Sequence, residues 1–242
     1  SAKQGFEQVL ELAPNFPDAL RRLSHVELQL GNLEAAVQHA RQAHEADPES
    51  PYNRSALASA LLSTGDPRDA AEALTHASAA SEMLPDDADV NFVLLYAGLV
   101  REDVDAIRRA SATLVRVAPD NPFGHYGAGI AAAYDGKWEQ AERELLLARD
   151  LGMPAEDVQY ALDAGIAAQA RQQRWLRRGA YVLGGWLAGL AILFPVGLLL
   201  SRLTLAAVRR PQPAAQVRVG QPERLLRAIY RVVIALTSLY FY

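Results

Sequence analysis

The chain has 242 residues, half of them apolar and 21% charged, and it contains no cysteine, so disulfides and thiolate metal sites are excluded. Its net charge of -4 hides a division: residues 1–170 hold 13 Lys+Arg against 27 Asp+Glu, a balance of -14, whereas residues 171–242 hold 11 arginines against Glu223 alone, a balance of +10. Nucleic-acid binding needs a basic face on the folded portion, and that portion is acidic; an acidic body joined to an arginine-flanked apolar stretch has the composition of a membrane-attached protein.

Alanine and leucine dominate and β-branched residues are sparse before the last third, which predicts an all-α chain. Pro14, Pro48, Pro85, Pro119 and Pro154 recur at spacings of 34, 37, 34 and 35 residues, each after a stretch with helical apolar spacing (FEQVLELAP, ARQAHEADP, SAASEMLP, ATLVRVAP, LLLARDLGMP). After each proline a new helix starts, often with a second proline or an acid in its first turn, where both are favoured. Gly31-Asn32, Gly65-Asp66 and Asp135-Gly136 break three of the periods near their middles, so a unit is two short helices joined by a tight turn. Ala36 and Ala43, Ala70 and Ala77, and Ala141 and Ala148 stand seven apart, on one stripe where helices must approach closely.

The units run 15–48, 49–85, 86–119 and 120–154, after a partial unit over 1–14 that supplies only a second helix. The chain therefore reads as a segment of a longer protein, and the lack of a leader peptide carries no information. The fourth unit has the fullest pattern, with Gly129, Gly136 and GKWEQAERELLLA. The third departs most, because Glu102-Asp103 replaces the turn glycine and Leu114 stands where the other units carry alanine. Three extra residues in the second unit are placed in its second helix. A helix-turn-helix period of this length with these small residues resembles the tetratricopeptide repeat (TPR) family over residues 1–154.

Residues 155–177 follow as one polar capping and linking helix. The next 23 residues, 179–201, carry no charge; at 1.5 Å per residue they extend roughly 34 Å, enough to cross a bilayer's hydrocarbon core of about 30 Å. This predicts a transmembrane helix over 178–202, stopped by Arg177-Arg178 and Arg202, with Trp175 and Tyr181 near its first boundary. Within it Gly185 and Gly189 form a GxxxG face suited to packing against another membrane helix, and Pro195 predicts a kink. A polar Pro/Arg loop over 203–222 leads to 223–242, read as the start of a second transmembrane helix or as an interfacial amphipathic helix, since Arg224, Arg227 and Arg231 recur at helical spacing. Four arginines precede the first span and seven follow it, so the positive-inside rule leans towards an extracytoplasmic array on an integral protein of the bacterial inner membrane.

No catalytic, cofactor-binding or metal-ligating residue is placed. His25, His39, His44, His76 and His125 form no HExxH, and all five are read as solvated or groove-lining. Asp87, Asp89 and Asn91 mimic a calcium loop but lack its glycine and glutamate, and are read as capping the helix near Ala88. The glycines of GHYGAG lack a preceding strand and a phosphate-loop lysine, and are read as close-packing positions.

The TPR resemblance implies that the first helix of each unit faces a groove that receives an extended or helical peptide. Carried over by residue, it selects Asp18, Arg21 and His25, then Tyr52, Ser55 and Ser59, then Phe92 and Tyr96, and finally Phe123, Tyr126 and Tyr134. Aromatic enrichment suits interface anchors, and the acidic array suggests partners of basic character. The expected function is a membrane-anchored scaffold that binds a protein or peptide and the bilayer, but no nucleic acid. Residues 175–242 also resemble the region preceding the catalytic domain of HtpX-like bacterial membrane zinc metallopeptidases, which implies zinc and an HExxH beyond residue 242. An assembly factor for envelope complexes is the remaining alternative.

Overall fold

The computed structural model describes residues 2–208. These are helical almost throughout: α1 (Ala2–Leu12), α2 (Pro17–Gln29), α3 (Leu33–Ala46), α4 (Pro51–Ser63), α5 (Pro67–Met83), α6 (Ala88–Arg101), α7 (Val104–Val117), α8 (Pro122–Tyr134), α9 (Trp138–Asp150), α10 (Ala155–Ala161), a π-helical turn (Leu162–Ile166) and α11 (Ala167–Val208). Two units divide the chain, 1–181 and 182–242. The first is a series of helical hairpins, α2/α3, α4/α5, α6/α7 and α8/α9, in which each helix packs chiefly on its neighbours in sequence.

Local chemistry starts each helix. Proline occupies the first turn of α2, α4, α5 and α8, where its missing N–H costs nothing. The side chains of Ser50, Asp66, Asp87, Asp103 and Asn121 accept bonds from backbone N–H groups of the first turns that follow them. Each such cap contributes about 1 kcal/mol. Asp87 is thus a helix cap, while Asn91 turns inward and donates to the carbonyls of Pro85 and Asp87.

The turn inside each hairpin follows one backbone recipe. Gly31, Gly65 and Gly136 take φ of 77°, 74° and 71°. In the third unit Glu102 adopts the same left-handed geometry at φ 54°, and the bond from the Asp103 N–H to the Gly98 carbonyl, 2.9 Å, matches those from Asn32 to Glu27 and from Lys137 to Ala132. The missing glycine therefore changes the strain and leaves the turn intact; a non-glycine residue here costs roughly 1–2 kcal/mol. The three extra residues of the second unit do lengthen its second helix, α5, to 17 residues.

The helix interfaces are built on alanine. Ala36, Ala40, Ala43, Ala70, Ala73, Ala77, Ala106, Ala110, Ala141 and Ala148 are all buried, and leucines such as Leu57, Leu61, Leu94, Leu95 and Leu145 fill the space between them. Leu114, the exception in the alanine stripe, is also fully buried, and α8 runs close to its backbone. A methyl group added at Gly124 would lie 2.9 Å from the Leu114 Cβ. Methyls at Gly127 and Gly129 would meet Leu95 at 2.5 Å and Leu145 at 2.8 Å, so all three glycines of GHYGAG serve close packing.

Residues 155–177 depart from the single polar helix that the sequence suggests. Gly165 takes φ 116°, which breaks α10 from α11 across the π turn. The segment is amphipathic: Val158, Ala161, Leu162, Ile166 and Ala170 are buried, and most of them pack with Leu145 beside Tyr126 and Trp138. Gln173 then donates to the Gly136 carbonyl at 3.0 Å, Arg174 pairs with Glu142, and Arg177 pairs with Glu139 at 2.9 Å, so the start of α11 is fixed to α9.

From Val182 onward, α11 forms the described part of the second unit. It is long and apolar enough to cross a membrane, and none of its apolar window is buried. Pro195 lies within it, and the helix runs on to Val208, six residues into the stretch expected as loop. A methyl added at Gly184 or Gly189 would meet nothing within 4 Å among the described residues. The rest of the expected loop and all of 223–242 lie outside the described residues.

The Leu95–Gly127 complementarity makes a direct prediction, because the crowding atoms are the Leu95 methyls. Gly127→Ala alone should destabilise the array by about 1–3 kcal/mol and Leu95→Ala alone by about 2–5 kcal/mol. The double variant should lose at least about 0.5 kcal/mol less than the sum. Urea unfolding of the full chain in detergent, followed by circular dichroism, checks this.

Candidate partner-binding cleft

One cleft of about 530 Å³ opens along the first helices of the first three units. From α2 come Arg21, Arg22, Ser24, His25, Val26 and Leu28; from α4, Tyr52, Ser55, Ala56 and Ser59; from α6, Asp89, Val90, Phe92 and Val93; and Phe6 of α1 closes one end. The sequence-derived residues Arg21, His25, Tyr52, Ser55, Ser59 and Phe92 thus come together on one surface. They do so because the repeat period sets α2, α4 and α6 in the same phase, while the alanine-rich helices α3 and α5 alternate with them in the series.

The polar geometry is concentrated on the α2 wall. Arg21 pairs with Asp18 at 2.9 Å, which puts Asp18 at the rim, and its guanidinium lies 5.9 Å from the Tyr52 ring centre. At this separation a cation–π attraction still operates. The Tyr52 hydroxyl donates to Asp87 at 3.4 Å, which ties the ring to the start of α6. The Arg21 Nε is buried without a hydrogen-bond partner, and His25 contacts Gln29 at 3.1 Å. On the far side Phe92 meets Phe123 edge to face, with centroids 5.0 Å apart.

The other predicted groove residues separate. Tyr96 and Tyr134 are exposed, 48% and 55%, but line no part of this cleft. Tyr126 is half-buried against the α9–α10 core, and that burial raises its phenol's pKa. Phe123 reaches the cleft only through its contact with Phe92. Sequence reasoning missed Arg22, Asp89 and Phe6. Arg22 was within reach, since it stands four residues from Asp18 and three from His25 on the same helical face.

The histidines also divide. Only His25 faces the cleft. His125 is buried, 2.8 Å from Glu144 and 2.9 Å from the Pro119 carbonyl, so it is a structural residue that ties α8 to α9 and to the preceding turn. Asn53 does the same for the Ala43 and Asp47 carbonyls. His44 of α3 and His76 of α5 meet edge to face with centroids 4.9 Å apart, each with a buried, unpartnered Nδ1. Neither is a groove residue. Among the described residues, no group of three or more His, Asp or Glu could hold a metal ion.

Comparison with known proteins agrees with this geometry. Two tetratricopeptide repeat family models match, over residues 1–51 and 28–90. Over residues 1–90 the hairpins are tetratricopeptide repeats. Among solved structures, the TPR array is similar to the crystal structure of MamA (TM-score 0.52, 19% identity, covering 62% of this chain and 85% of that one). It is also similar to MamA 41-end from Desulfovibrio magneticus RS-1 (TM-score 0.52, 18% identity, 62% and 82%). A third is YrrB, a TPR protein with an unusual peptide-binding site (TM-score 0.53, 20% identity, 66% and 81%). At these identities the likeness establishes the fold alone. No curated protein sequence matches the chain. Neither family model reaches 175–242, the region with the HtpX-like resemblance.

The His44–His76 contact between TPR units predicts a pH dependence. Burial lowers both imidazole pKa values; the charges of Arg41 and Arg54 act in the same direction, and Glu72, Glu45 and Asp47 oppose it. The unfolded chain therefore takes up protons more readily, so the stability from this pair is fully present above a pH of about 6.5 and is lost as pH falls below it. Glu72, held low mainly by its bond to Arg41, acts in a separate window below the usual carboxylate range. The thermal midpoint should fall between about pH 7 and pH 5, and His76→Phe should flatten that decline; calorimetry across pH measures both.

Proposed function

We propose that this protein is a membrane-anchored TPR scaffold that binds a peptide or protein segment in the cleft of α2, α4 and α6. The observation that carries the reading is the cleft itself: an apolar floor with convergent hydroxyl, guanidinium and imidazole groups, of a size that suits ligand sites in general. Ser55, Ala56 and Ser59 keep the α4 wall low, so a backbone can approach, while Tyr52 and Phe92 provide rigid rings of the kind that dominate binding energies. YrrB, similar in fold, has a peptide-binding site, which supports this use of the array.

The anchor is α11. A helix with its large apolar side chains, Leu183 to Leu200, exposed to solvent along a stretch of this length has an unfavourable free energy in water that a hydrocarbon phase removes. The scaffold thus holds a captured partner at the bilayer, and the small residues Gly185 and Gly189 suit close packing of a second helix there. The seven arginines after the span favour a cytoplasmic loop with the array on the opposite side.

Two experiments test the two halves. Peptides selected from a displayed library on the nanodisc-embedded full chain should bind Tyr52→Ala/Phe92→Ala at least about tenfold more weakly. Equal binding by that folded variant would remove the cleft from the function. The wild-type chain should stay in membranes through alkaline extraction, whereas Leu190→Arg/Leu193→Arg, each arginine costing about 2.5–3.5 kcal/mol at a helix centre, should be released.

A further inference from the structure

The array as a whole is acidic, and on net charge alone its partner would be basic. The cleft has the opposite local sign. Arg21 and Arg22 share one turn of α2 and His25 stands on the next, all three lining one wall, and Asp89 is the only acid among the lining residues. Arg21 has part of its charge met by Asp18, yet its Nε remains buried and unpartnered. Arg22 is exposed and makes no hydrogen bond or ion pair among the described residues. A cationic wall beside a low-dielectric apolar floor strengthens attraction for anions at short range, where the distant acids of the array are screened beyond about 10 Å.

We infer that the cleft selects an acidic–apolar peptide, in which carboxylates reach Arg21 and Arg22 while neighbouring large apolar side chains seat against Phe92, Val93 and Phe6. This rests on the cleft being the binding site. Guanidinium groups suit carboxylates because their fork of donors allows paired bonds. Charge argues against the chain's own arginine-rich stretch, residues 209–231, as occupant, since it would bring like charge to the α2 wall.

The test uses fluorescent peptides of one length that share a leucine/phenylalanine frame and carry glutamate, lysine or serine at the alternate positions. Anisotropy is read on the full chain in zwitterionic nanodiscs. The glutamate peptide should bind at least about tenfold tighter than the lysine peptide, and lose affinity as salt rises. Arg22→Glu, at an exposed side chain whose loss disturbs no contact, should reverse the preference, and Asp89→Lys should sharpen it; unchanged thermal melting shows that both variants fold. Equal binding of the three peptides, or preference for lysine, would overturn the acidic selection and leave the cleft as the site. Failure of all three to bind would overturn it together with the cleft reading.

Discussion

The structure depends on how closely neighbouring helices can approach. Alanine at the crossing points of α3, α5, α7 and α9 keeps side chains small where adjacent helices meet, and glycines of α8 bring its backbone close to Leu95, Leu114 and Leu145. Such contacts are short-range and nearest-neighbour, so the array is assembled hairpin by hairpin and its stability is a sum over repeats and their interfaces.

Close packing of alanine faces also determines where the cleft forms. It consumes one face of each helix and leaves the first helices of successive units side by side with their opposite faces free. Arg21, Tyr52 and Phe92 are far apart in sequence, yet repetition brings them to one cleft. Polar side chains steady this arrangement from within: Asn53, Asn91 and His125 each donate to carbonyls at or near the preceding turn. At the His44–His76 contact burial lowers both imidazole pKa values.

The repeat period, the two-helix unit and the alanine stripe were legible because each is a periodic pattern, and periodicity maps directly onto a helical face. The alignment of Arg21, His25, Tyr52, Ser55, Ser59 and Phe92 along one surface was legible for the same reason, and that of Tyr96 was not. Tyr126, Tyr134 and His125 were not, because their fate depends on what packs against the end of the array, and the apolar face of α10 that packs beside Tyr126 lies in a segment whose composition is polar. The left-handed Glu102 shows the same limit at smaller scale: the residue disfavours the turn, and the surrounding hairpin imposes it. Local sign of charge was hidden too, since a total over 170 residues says nothing about one wall of α2.

Hydrogen–deuterium exchange on the nanodisc-embedded full chain, with and without a saturating bound peptide, tests most directly whether the aligned first helices are the recognition surface. The account predicts added protection in α2, α4 and α6, with α3, α5 and α7 unchanged. Protection centred on α3, α5 and α7, or on α8 and α9 alone, would contradict it.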